Sequence, residues 1–214
     1  HNEQSIEKKI QLAKEENFSE ATYGAPLNKL LFQALKDFPI QGKSVIVLGS
    51  QLPWFESVAL AFGASRVTTL EYNKIDYSHP KITTITNQEY FQKDNLRDRE
   101  QFDVAFSISS YEHDGLGRYG DPIDPYGDLK AMLSVKCILK EHGRLFLAVP
   151  HGEDKIEYNA HRIYGKWRTP MLLNRWNVLQ TYGIGKTFQP VWVLENSAFM
   201  EEGKPGEPFV EPEV

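Results

Sequence analysis

The chain has 214 residues, of which 41% are hydrophobic and 25% are charged, and its formal net charge is −5. This length fits one large domain with its own core. The single cysteine, Cys137, excludes an internal disulfide framework and a cysteine-based zinc site, and no apolar run is long enough for a membrane span. The chain starts with polar residues and shows no secretory signal, so we expect a soluble, cytoplasmic protein.

Most of the negative charge lies at the end of the chain. Residues 201–214 contain five glutamates and one lysine, so the rest of the chain is almost neutral. Because nucleic-acid binding usually needs a clustered excess of basic residues, we expect no nucleic-acid partner. The glutamates alternate with prolines, and we predict that this tail is disordered.

The predicted elements alternate between helix and strand. Residues 1–41 carry apolar residues at helical spacing and form a predicted N-terminal helical segment. A predicted domain follows over residues 42–200, with apolar strands, helices between them and a late strand. The strands are 44–48, 66–70, 81–86, 102–108, 144–149 and 188–194, and the helices start near residues 55, 128 and 170. This alternation predicts an α/β fold with a mostly parallel sheet and helices on both faces.

Two of the predicted helices lead to specific expectations. The helix from Asp128 has Asp128 as its N-cap, ends before Gly143 and carries Cys137 among apolar neighbours, so we expect Cys137 in the core. The helix from Pro170 extends through Leu179.

The first two strand ends carry residues suited to a nucleoside. Ligands of open parallel sheets bind at the carboxyl ends of the strands. Gly49, Ser50 and Gln51 follow the first strand, where a glycine permits a sharp turn; an ordinary strand-to-helix turn is the alternative. Glu71 follows the second strand, 22 residues after Gly49, where a carboxylate can accept ribose hydroxyls; a solvated surface glutamate is the alternative.

The fourth strand leads into the chain's densest cluster of titratable residues. Residues 107–122 contain one histidine, three acids and one arginine among three glycines. His113 and Asp114 are candidate proton acceptors, since histidine titrates near neutral pH and a loop held by a scaffold suits acid–base chemistry. A turn-rich surface loop is the alternative.

The fifth strand is followed by polar residues interleaved with aromatic ones. Such a mixture suits a sugar-like ligand, because rings pack against planar faces and donors bind hydroxyls. His151, Asn159, His161 and Arg162 are the polar candidates. The histidines and acids of both loops match no zinc spacing, so we expect no required metal.

These features together resemble the class I, Rossmann-like methyltransferases that use S-adenosylmethionine (SAM). Gly49 resembles the remaining glycine of their first motif, and Glu71 their ribose-binding acid. Residues 102–113, which end in Glu-His, resemble their fourth-strand motif, and residues 143–147 their fifth-strand entry. The later glycines of the first motif are missing. At the positions where the glycine-rich dinucleotide fingerprint has its later glycines, this chain has Gln51 and Trp54.

Two further departures from the methyltransferase pattern lie in later strands. The third strand end lacks the usual adenine-binding acid, for which Asn87 or Gln88 would substitute. The sequence also shows one late strand where these methyltransferases have an antiparallel pair.

A narrower resemblance covers three segments, residues 112–122, 150–152 and 159–165. They are similar to a small group long catalogued only as a domain of unknown function, whose members accompany or are fused to glycan-building glycosyltransferases. The resemblance implies a carbohydrate acceptor and a glycosyltransferase as partner or fused domain. It implies SAM binding by Gly49, Ser50, Gln51, Glu71, Asn87 and Ser109. It implies acceptor binding by Arg118, Tyr119, Asp121, His151, Asn159, His161 and Arg162, with His113 or Asp114 as the base.

The sequence therefore predicts a SAM-dependent O-methyltransferase that acts on a sugar hydroxyl of a glycan. One alternative is a catalytically inactive module of the same fold that binds a glycan or a protein partner. The other is a nicotinamide-dependent sugar-nucleotide enzyme, which the missing glycine-rich fingerprint opposes.

Overall fold

The computed structural model of the chain describes residues 1–92 and 99–197. The acidic tail, residues 201–214, and the last three residues of the predicted domain lie outside the described residues. The helices are α1 (Glu3–Lys14), α2 (Gly24–Asp37), α3 (Trp54–Ala61), α4 (Asn87–Phe91), α5 (Gly127–Ile138) and α6 (Arg168–Leu172). The strands are β1 (Ser44–Leu48), β2 (Arg66–Glu71), β3 (Ile82–Thr86), β4 (Phe102–Ile108), β5 (Leu139–Ala148), β6 (Lys155–Glu157), β7 (His161–Ile163), β8 (Asn177–Tyr182) and β9 (Val191–Glu195).

Seven strands form one sheet in the order β3-β2-β1-β4-β5-β9-β8. The first five are parallel, whereas β9 pairs antiparallel with β5 and β8 antiparallel with β9. The chain runs outward from β1 to β3 and then returns to β4 on the other side of β1. This reversal leaves a crevice between the carboxyl ends of β1 and β4, which is where open parallel sheets bind ligands.

The sheet separates two apolar cores. Every residue of β1 is buried, and its side chains alternate between the faces. Val45 and Val47 join the core that α1, α2 and α3 cover, while Ile46 and Leu48 join the core that α5 and α6 cover. A strand buried on both faces explains the continuous apolar run in the sequence. Helices on both faces of a mostly parallel sheet confirm the predicted α/β architecture.

The predicted helix from Pro170 to Leu179 is wrong in its second half. Helix α6 ends at Leu172, and Asn177–Tyr182 forms the edge strand β8. The helical spacing arises because Leu172 and Trp176 pack into the core from a short helix and the turn after it. Pairing of β8 with β9 then satisfies the backbone. The prediction of one late strand, in place of the antiparallel pair of the methyltransferases, is also wrong, because β8 and β9 form such a pair.

Helix α5 is shorter than predicted, and Cys137 is not in the core. The helix begins at Gly127, so Asp128 lies inside it, and it ends at Ile138. Strand β5 starts at the next residue and includes Gly143. Cys137 is exposed because it lies on the outer face of α5, whereas Val135 and Ile138, which flank it in the sequence, are buried.

Asp128 does not cap α5. It is buried, and its carboxylate offsets the positive charges of Arg162 and Arg168. Its carboxylate accepts hydrogen bonds from the Arg168 guanidinium at 2.6 and 2.9 Å and from the Tyr164 hydroxyl at 2.9 Å. The Nε atom of Arg162, a residue with no exposed surface, lies 3.7 Å from Asp128 Oδ1. The cluster joins α5 to the segment after β5. None of the helices within the two described ranges is long and apolar enough to cross a membrane.

We expect Asp128→Ala to lower the free energy of unfolding by about 3–5 kcal/mol, because it leaves buried arginine charges without their partner. Denaturant unfolding followed by circular dichroism measures the change. The control is Lys36→Ala, which removes an ion pair with Glu16 whose side chains are about half exposed and should cost about 0–1 kcal/mol. Equal effects of the two substitutions would contradict a stabilising role for the Asp128 cluster.

Candidate active site

The loop between β4 and α5 is folded around the carboxylate of Asp121. That carboxylate accepts hydrogen bonds from the backbone N–H groups of Gly115 at 2.7 Å, Gly117 at 3.0 Å and Tyr119 at 3.2 Å. Burial acts to raise the pKa of Asp121, but these hydrogen bonds to the ionised form outweigh it and lower the pKa. Asp121 therefore stays ionised and holds the glycine-rich turn.

Arg162 holds the same loop from beneath. Its guanidinium donates to the backbone oxygens of Asp114 at 2.5 Å, Asp124 at 3.2 Å and Pro125 at 3.4 Å. The side chain is completely buried. Arg162 was predicted to bind the acceptor, but the structure buries it under the loop, and it is not among the described residues that line the cleft. Its role in this geometry is to position Asp114.

The carboxylate of Asp114 faces the crevice. Burial raises its pKa to about 8, and the neighbouring carboxylates of Asp121 and Asp128 add to the rise. The Arg162 charge opposes this shift. A carboxyl with a pKa near neutral is suited to proton transfer, because it exchanges a proton readily at physiological pH.

The turn after β1 requires glycine at position 49. Gly49 has a φ of +74°, a backbone conformation that residues with a side chain rarely adopt. A Cβ atom there would lie 2.1 Å from the Ser110 Oγ atom. The turn of β1 and the start of the β4 loop are thus in direct contact at the point where the crevice opens.

Glu71 ties the end of β2 to this turn. Its Oε2 atom accepts the N–H of Ser50 at 3.0 Å, and its Oε1 atom accepts the N–H of Tyr72 at 2.8 Å. An ionised carboxylate has about four lone-pair positions, so about two remain for a ligand. Behind the turn, the buried Glu56 accepts hydrogen bonds from Ser50 and Thr69 at 3.2 and 2.8 Å. Burial raises the pKa of Glu56 to about 7, despite those hydrogen bonds.

These parts enclose a cleft of about 440 Å³ at the carboxyl ends of β1, β2 and β4. Its volume lies within the range of small-molecule sites. All six predicted cofactor-binding residues line it: Gly49, Ser50, Gln51, Glu71, Asn87 and Ser109. From the other predicted sets, Asp114, Tyr119 and Asp121 line it as well.

None of the predicted histidines His113, His151 and His161 is among the described residues that line the cleft. The ring of His113 lies edge-on to Tyr119, with centroids 5.4 Å apart, and 6.2 Å from the ring of His161. His161 in turn approaches Phe188, and His151 approaches Trp192. The structure brings His113 and His161 together next to the cleft through the β6–β7 hairpin, and it places His151 at the end of β5.

The protonation of His113 follows from its contacts. Its Nδ1 atom lies 2.5 Å from the carbonyl oxygen of Ala160 and must therefore carry a hydrogen. Burial lowers the pKa of His113, and the charge of Arg118 adds to this. The neutral ring thus presents an unprotonated Nε2 atom, which lies 3.8 Å from Glu112 Oε1 and not at the cleft.

The remaining predicted acceptor residues lie at the rim. Arg118 is exposed, stacks over the Tyr119 ring at 5.6 Å and donates to the carbonyl oxygen of Asn159 at 3.1 Å. Asn159 is exposed. The contact joins the glycine-rich loop to the β6–β7 hairpin.

Sequence reasoning missed several residues of the site. Tyr23 and Thr22 line the cleft from the N-terminal segment, and Tyr72 and Phe91 line its β2 and β3 side. No local motif could have found Tyr23, because 86 residues separate it from Ser109, whose carbonyl oxygen accepts its hydroxyl at 3.3 Å. Tyr72 follows Glu71 directly, so its position at a strand end was a usable signal.

The fully buried Glu112 was also missed. Its Oε1 atom accepts the Ser109 hydroxyl at 2.6 Å, and that hydroxyl in turn accepts Gln189 Nε2 at 2.8 Å. Its Oε2 atom has no hydrogen-bond partner among the residues that the structure describes. Burial raises the pKa of Glu112 to about 7. Within residues 1–92 and 99–197, no three His, Cys, Asp or Glu side chains are grouped to hold a metal ion.

The fold is shared with solved methyltransferases. A 1,6-didemethyltoxoflavin-N1-methyltransferase from Burkholderia thailandensis, solved with 1,6-didemethyltoxoflavin and S-adenosylhomocysteine, matches with a TM-score of 0.59 at 10% identity, over 90% of this chain and 87% of that one. A SAM-dependent methyltransferase from Mesorhizobium loti matches with a TM-score of 0.51 at 12% identity, over 77% and 96%. These similarities confirm the Rossmann-like methyltransferase fold.

The chain also matches a candidate hemolysin from Streptococcus thermophilus, with a TM-score of 0.52 at 14% identity; the match covers 78% of this chain but only 65% of the hemolysin. No curated protein is similar enough in sequence to count as a relative. Residues 42–200 match the family described as "Caenorhabditis protein of unknown function, DUF268". The chain belongs to the DUF268 family.

We expect Gly49→Ala to destabilise the protein by more than Gly42→Ala. Both glycines have positive φ, so both substitutions carry the backbone cost of about 1 kcal/mol. Of these two positions, 49 adds a clash, with Ser110, whereas no atom of the described part of the chain lies within 4 Å of a Cβ at position 42. Thermal or denaturant unfolding compares the two. Equal losses in the free energy of unfolding would mean that the Ser110 side chain moves away from the added Cβ without an energetic penalty.

We expect Glu112→Gln to stabilise the protein more at pH 8 than at pH 5. The pKa of Glu112 is about 7 in the folded protein against an ordinary value of 4.5. The folded state therefore retains a proton that the unfolded state loses, and the stability that this gives is lost as pH rises through about 7. The substitution removes that loss, which is on the order of 1–3 kcal/mol.

Denaturant unfolding at both pH values measures the effect of Glu112→Gln. Glu89→Gln is a control of opposite sign, because hydrogen bonds from Thr86 lower the pKa of Glu89. A pH-independent effect of Glu112→Gln would show that Glu112 is ionised in the folded protein at both pH values.

Proposed function

We propose that this protein is a SAM-dependent methyltransferase that methylates a sugar hydroxyl of a glycan. The observation that carries the proposal is one cleft in which Gly49, Glu71 and Asp114 meet at the ends of β1, β2 and β4. The methyltransferase fold and the S-adenosylhomocysteine in the Burkholderia thailandensis enzyme support the choice of cofactor.

The residues of the cleft fit SAM. Glu71 is held by two backbone N–H groups and has acceptor positions left for the two ribose hydroxyls. Gly49 lines the cleft and has no side chain of its own, so its backbone can be approached closely from the cleft. Asn87 is the first residue of α4 and offers an amide where the methyltransferases have an acid. Trp54 stands where the dinucleotide fingerprint has its third glycine. It is the first residue of α3 and is fully buried, which explains the replacement.

In this proposal, bound SAM supplies an activated methyl group. The loop from Ser109 to Asp121 positions the acceptor beside it, and much of the rate would come from that placement. Asp114 accepts the hydroxyl proton on its carboxylate. His113 is the weaker candidate for the base, because it lies outside the cleft and its Nε2 atom faces Glu112. We assign His113 and His161 to the outer layer of the wall that orients the acceptor, beside Tyr119, whose ring lines the cleft.

The sugar as acceptor is supported by the character of that wall. Tyr119 lines the cleft next to the rings of His113 and His161, and the exposed Asn159 and Arg118 offer polar groups at the rim. Rings and hydrogen-bonding groups together suit a hydroxylated ring. A glycosyltransferase as partner or fused domain and a place in the cytoplasm remain parts of this proposal.

Calorimetry with SAM tests the cofactor. We expect wild type to bind, Glu71→Gln to bind at least tenfold more weakly, because an amide offers fewer acceptor positions, and Asp114→Asn to bind within threefold of wild type. A folded wild-type protein that binds NAD but not SAM would support the nicotinamide-dependent alternative. One that binds a glycan but neither cofactor would support the inactive module.

The pH dependence of methyl transfer tests the base. Because the pKa of Asp114 is about 8, we expect kcat/KM to rise with pH up to about 8 and then level off, as the ionised base accumulates. Asp114→Asn should reduce kcat by at least 100-fold and remove this rise. If His113→Ala has the larger effect on kcat and Asp114→Asn keeps the pH profile, the assignment of the base is wrong.

A further inference from the structure

One wall of the cleft comes from outside the residues that match the DUF268 family. The family match begins at residue 42, yet Thr22 and Tyr23 line the cleft. The Tyr23 ring stacks on Phe55, with centroids 6.3 Å apart and planes 15° apart. Phe55 thus covers one face of the Tyr23 ring. The residue is still 49% exposed, so part of it is available to a ligand.

The backbone of Tyr23 is held in a costly conformation. Its φ is +62°, in the left-handed region that side chains disfavour. The fully buried Asn28 fixes this turn, because its Nδ2 atom donates to the carbonyl oxygens of Thr22 at 2.8 Å and Gly24 at 2.6 Å. The Oδ1 atom of Asn28 accepts the indole N–H of Trp54 at 2.6 Å. Strain of this kind persists where the surroundings impose it, and such places are often functional.

Tyr23 and Tyr119 both line the cleft, and they are near enough for Tyr119 to influence the pKa of Tyr23. Tyr119 is 40% exposed. Burial raises the pKa of Tyr23, and the nearby Glu112 and Tyr119 add to the rise. The Tyr23 hydroxyl therefore stays protonated and donates to the Ser109 carbonyl oxygen. It keeps its own lone pairs for a ligand hydroxyl.

The charges of the cleft restrict what can enter between these two tyrosines. Four acidic side chains line it, Glu71, Asp114, Asp121 and Asp124, of which Asp114 gains its negative charge only near pH 8. Among the lining residues that the structure describes, the basic side chain is that of Lys130, and it pairs with Asp124 at 2.8 Å. A phosphate or carboxylate on the acceptor would be repelled. An uncharged ring avoids that repulsion and can pack its C–H face against an aromatic side chain.

We propose that Tyr23 is a specificity-determining residue: with Tyr119 it forms an aromatic clamp that selects an uncharged sugar ring over a sugar nucleotide. This inference rests on the proposed function and adds the class of the acceptor and the role of the N-terminal segment. The open part of the Tyr23 ring contacts the sugar, and Asn28 keeps the ring in place.

Methyl transfer from radiolabelled SAM to methyl hexopyranosides and to the corresponding nucleoside-diphosphate sugars tests the clamp. Wild type should use the uncharged glycosides with a kcat/KM at least tenfold higher. Tyr23→Ala should raise the glycoside KM at least tenfold, change kcat by less than threefold and leave the Kd for SAM within twofold. Tyr23→Phe keeps the ring and should stay within threefold of wild type in KM.

Tyr72→Ala is the matched control, because Tyr72 is 45% exposed and lines the same cleft on the Glu71 side. It should weaken SAM binding more than glycoside use. Tyr23→Leu accompanies Tyr23→Ala as a bulkier replacement, and thermal unfolding verifies that both variants fold. A preference for nucleotide sugars, or an unchanged glycoside KM in folded Tyr23→Ala and Tyr23→Leu, would overturn the proposal.

Saturation-transfer NMR with the methyl hexopyranosides separates this proposal from the methyltransferase assignment. It detects sugar binding without SAM. If wild type binds the glycosides, Tyr23→Ala does not, and no methyl transfer occurs, the proposed reaction fails while the clamp stands. If wild type methylates the glycosides and Tyr23→Ala does so equally well, the clamp fails while the reaction stands.

Discussion

The site depends on two buried side chains of opposite charge that hold the loop after β4 from its two sides. Asp121 accepts backbone N–H groups within the loop, and Arg162 donates to backbone oxygens at its two ends. A loop without regular structure leaves its backbone groups unpaired, and pairing them inside the protein is what gives it a single shape. Asp128 offsets the Arg162 charge and links the loop to the core.

That arrangement also sets the chemistry of Asp114. Burial raises the pKa of Asp114 to about 8, and the neighbouring acids Asp121 and Asp128, which also shape the loop, add to the rise. A more distant Arg162 guanidinium would leave this pKa higher still, because its charge favours the ionised form. The same side chains therefore provide both the geometry of the loop and the proton affinity of the proposed base.

The unusual turn after β1 has an explanation in the N-terminal segment. Where the dinucleotide fingerprint has its third glycine, this chain has Trp54, whose indole donates to Asn28. Asn28 in turn fixes the conformation of Tyr23 at the cleft. The replacement thus connects the turn after β1, where we propose that the cofactor binds, to a wall of the cleft supplied by residues 1–41. In our proposal this connection provides the selectivity for an uncharged ring.

The sequence by itself determined the alternation of strands and helices and the positions of Gly49 and Glu71, since these follow from local periodicity and from the ends of short apolar runs. Only the tertiary structure decided that Arg162 is buried beneath the loop, that His113 lies outside the cleft and that Tyr23 lines it. Pairing with β9, rather than local spacing, also made β8 a strand. The physical reason is that burial, pairing and pKa depend on contacts between residues far apart in the chain, which local patterns do not contain.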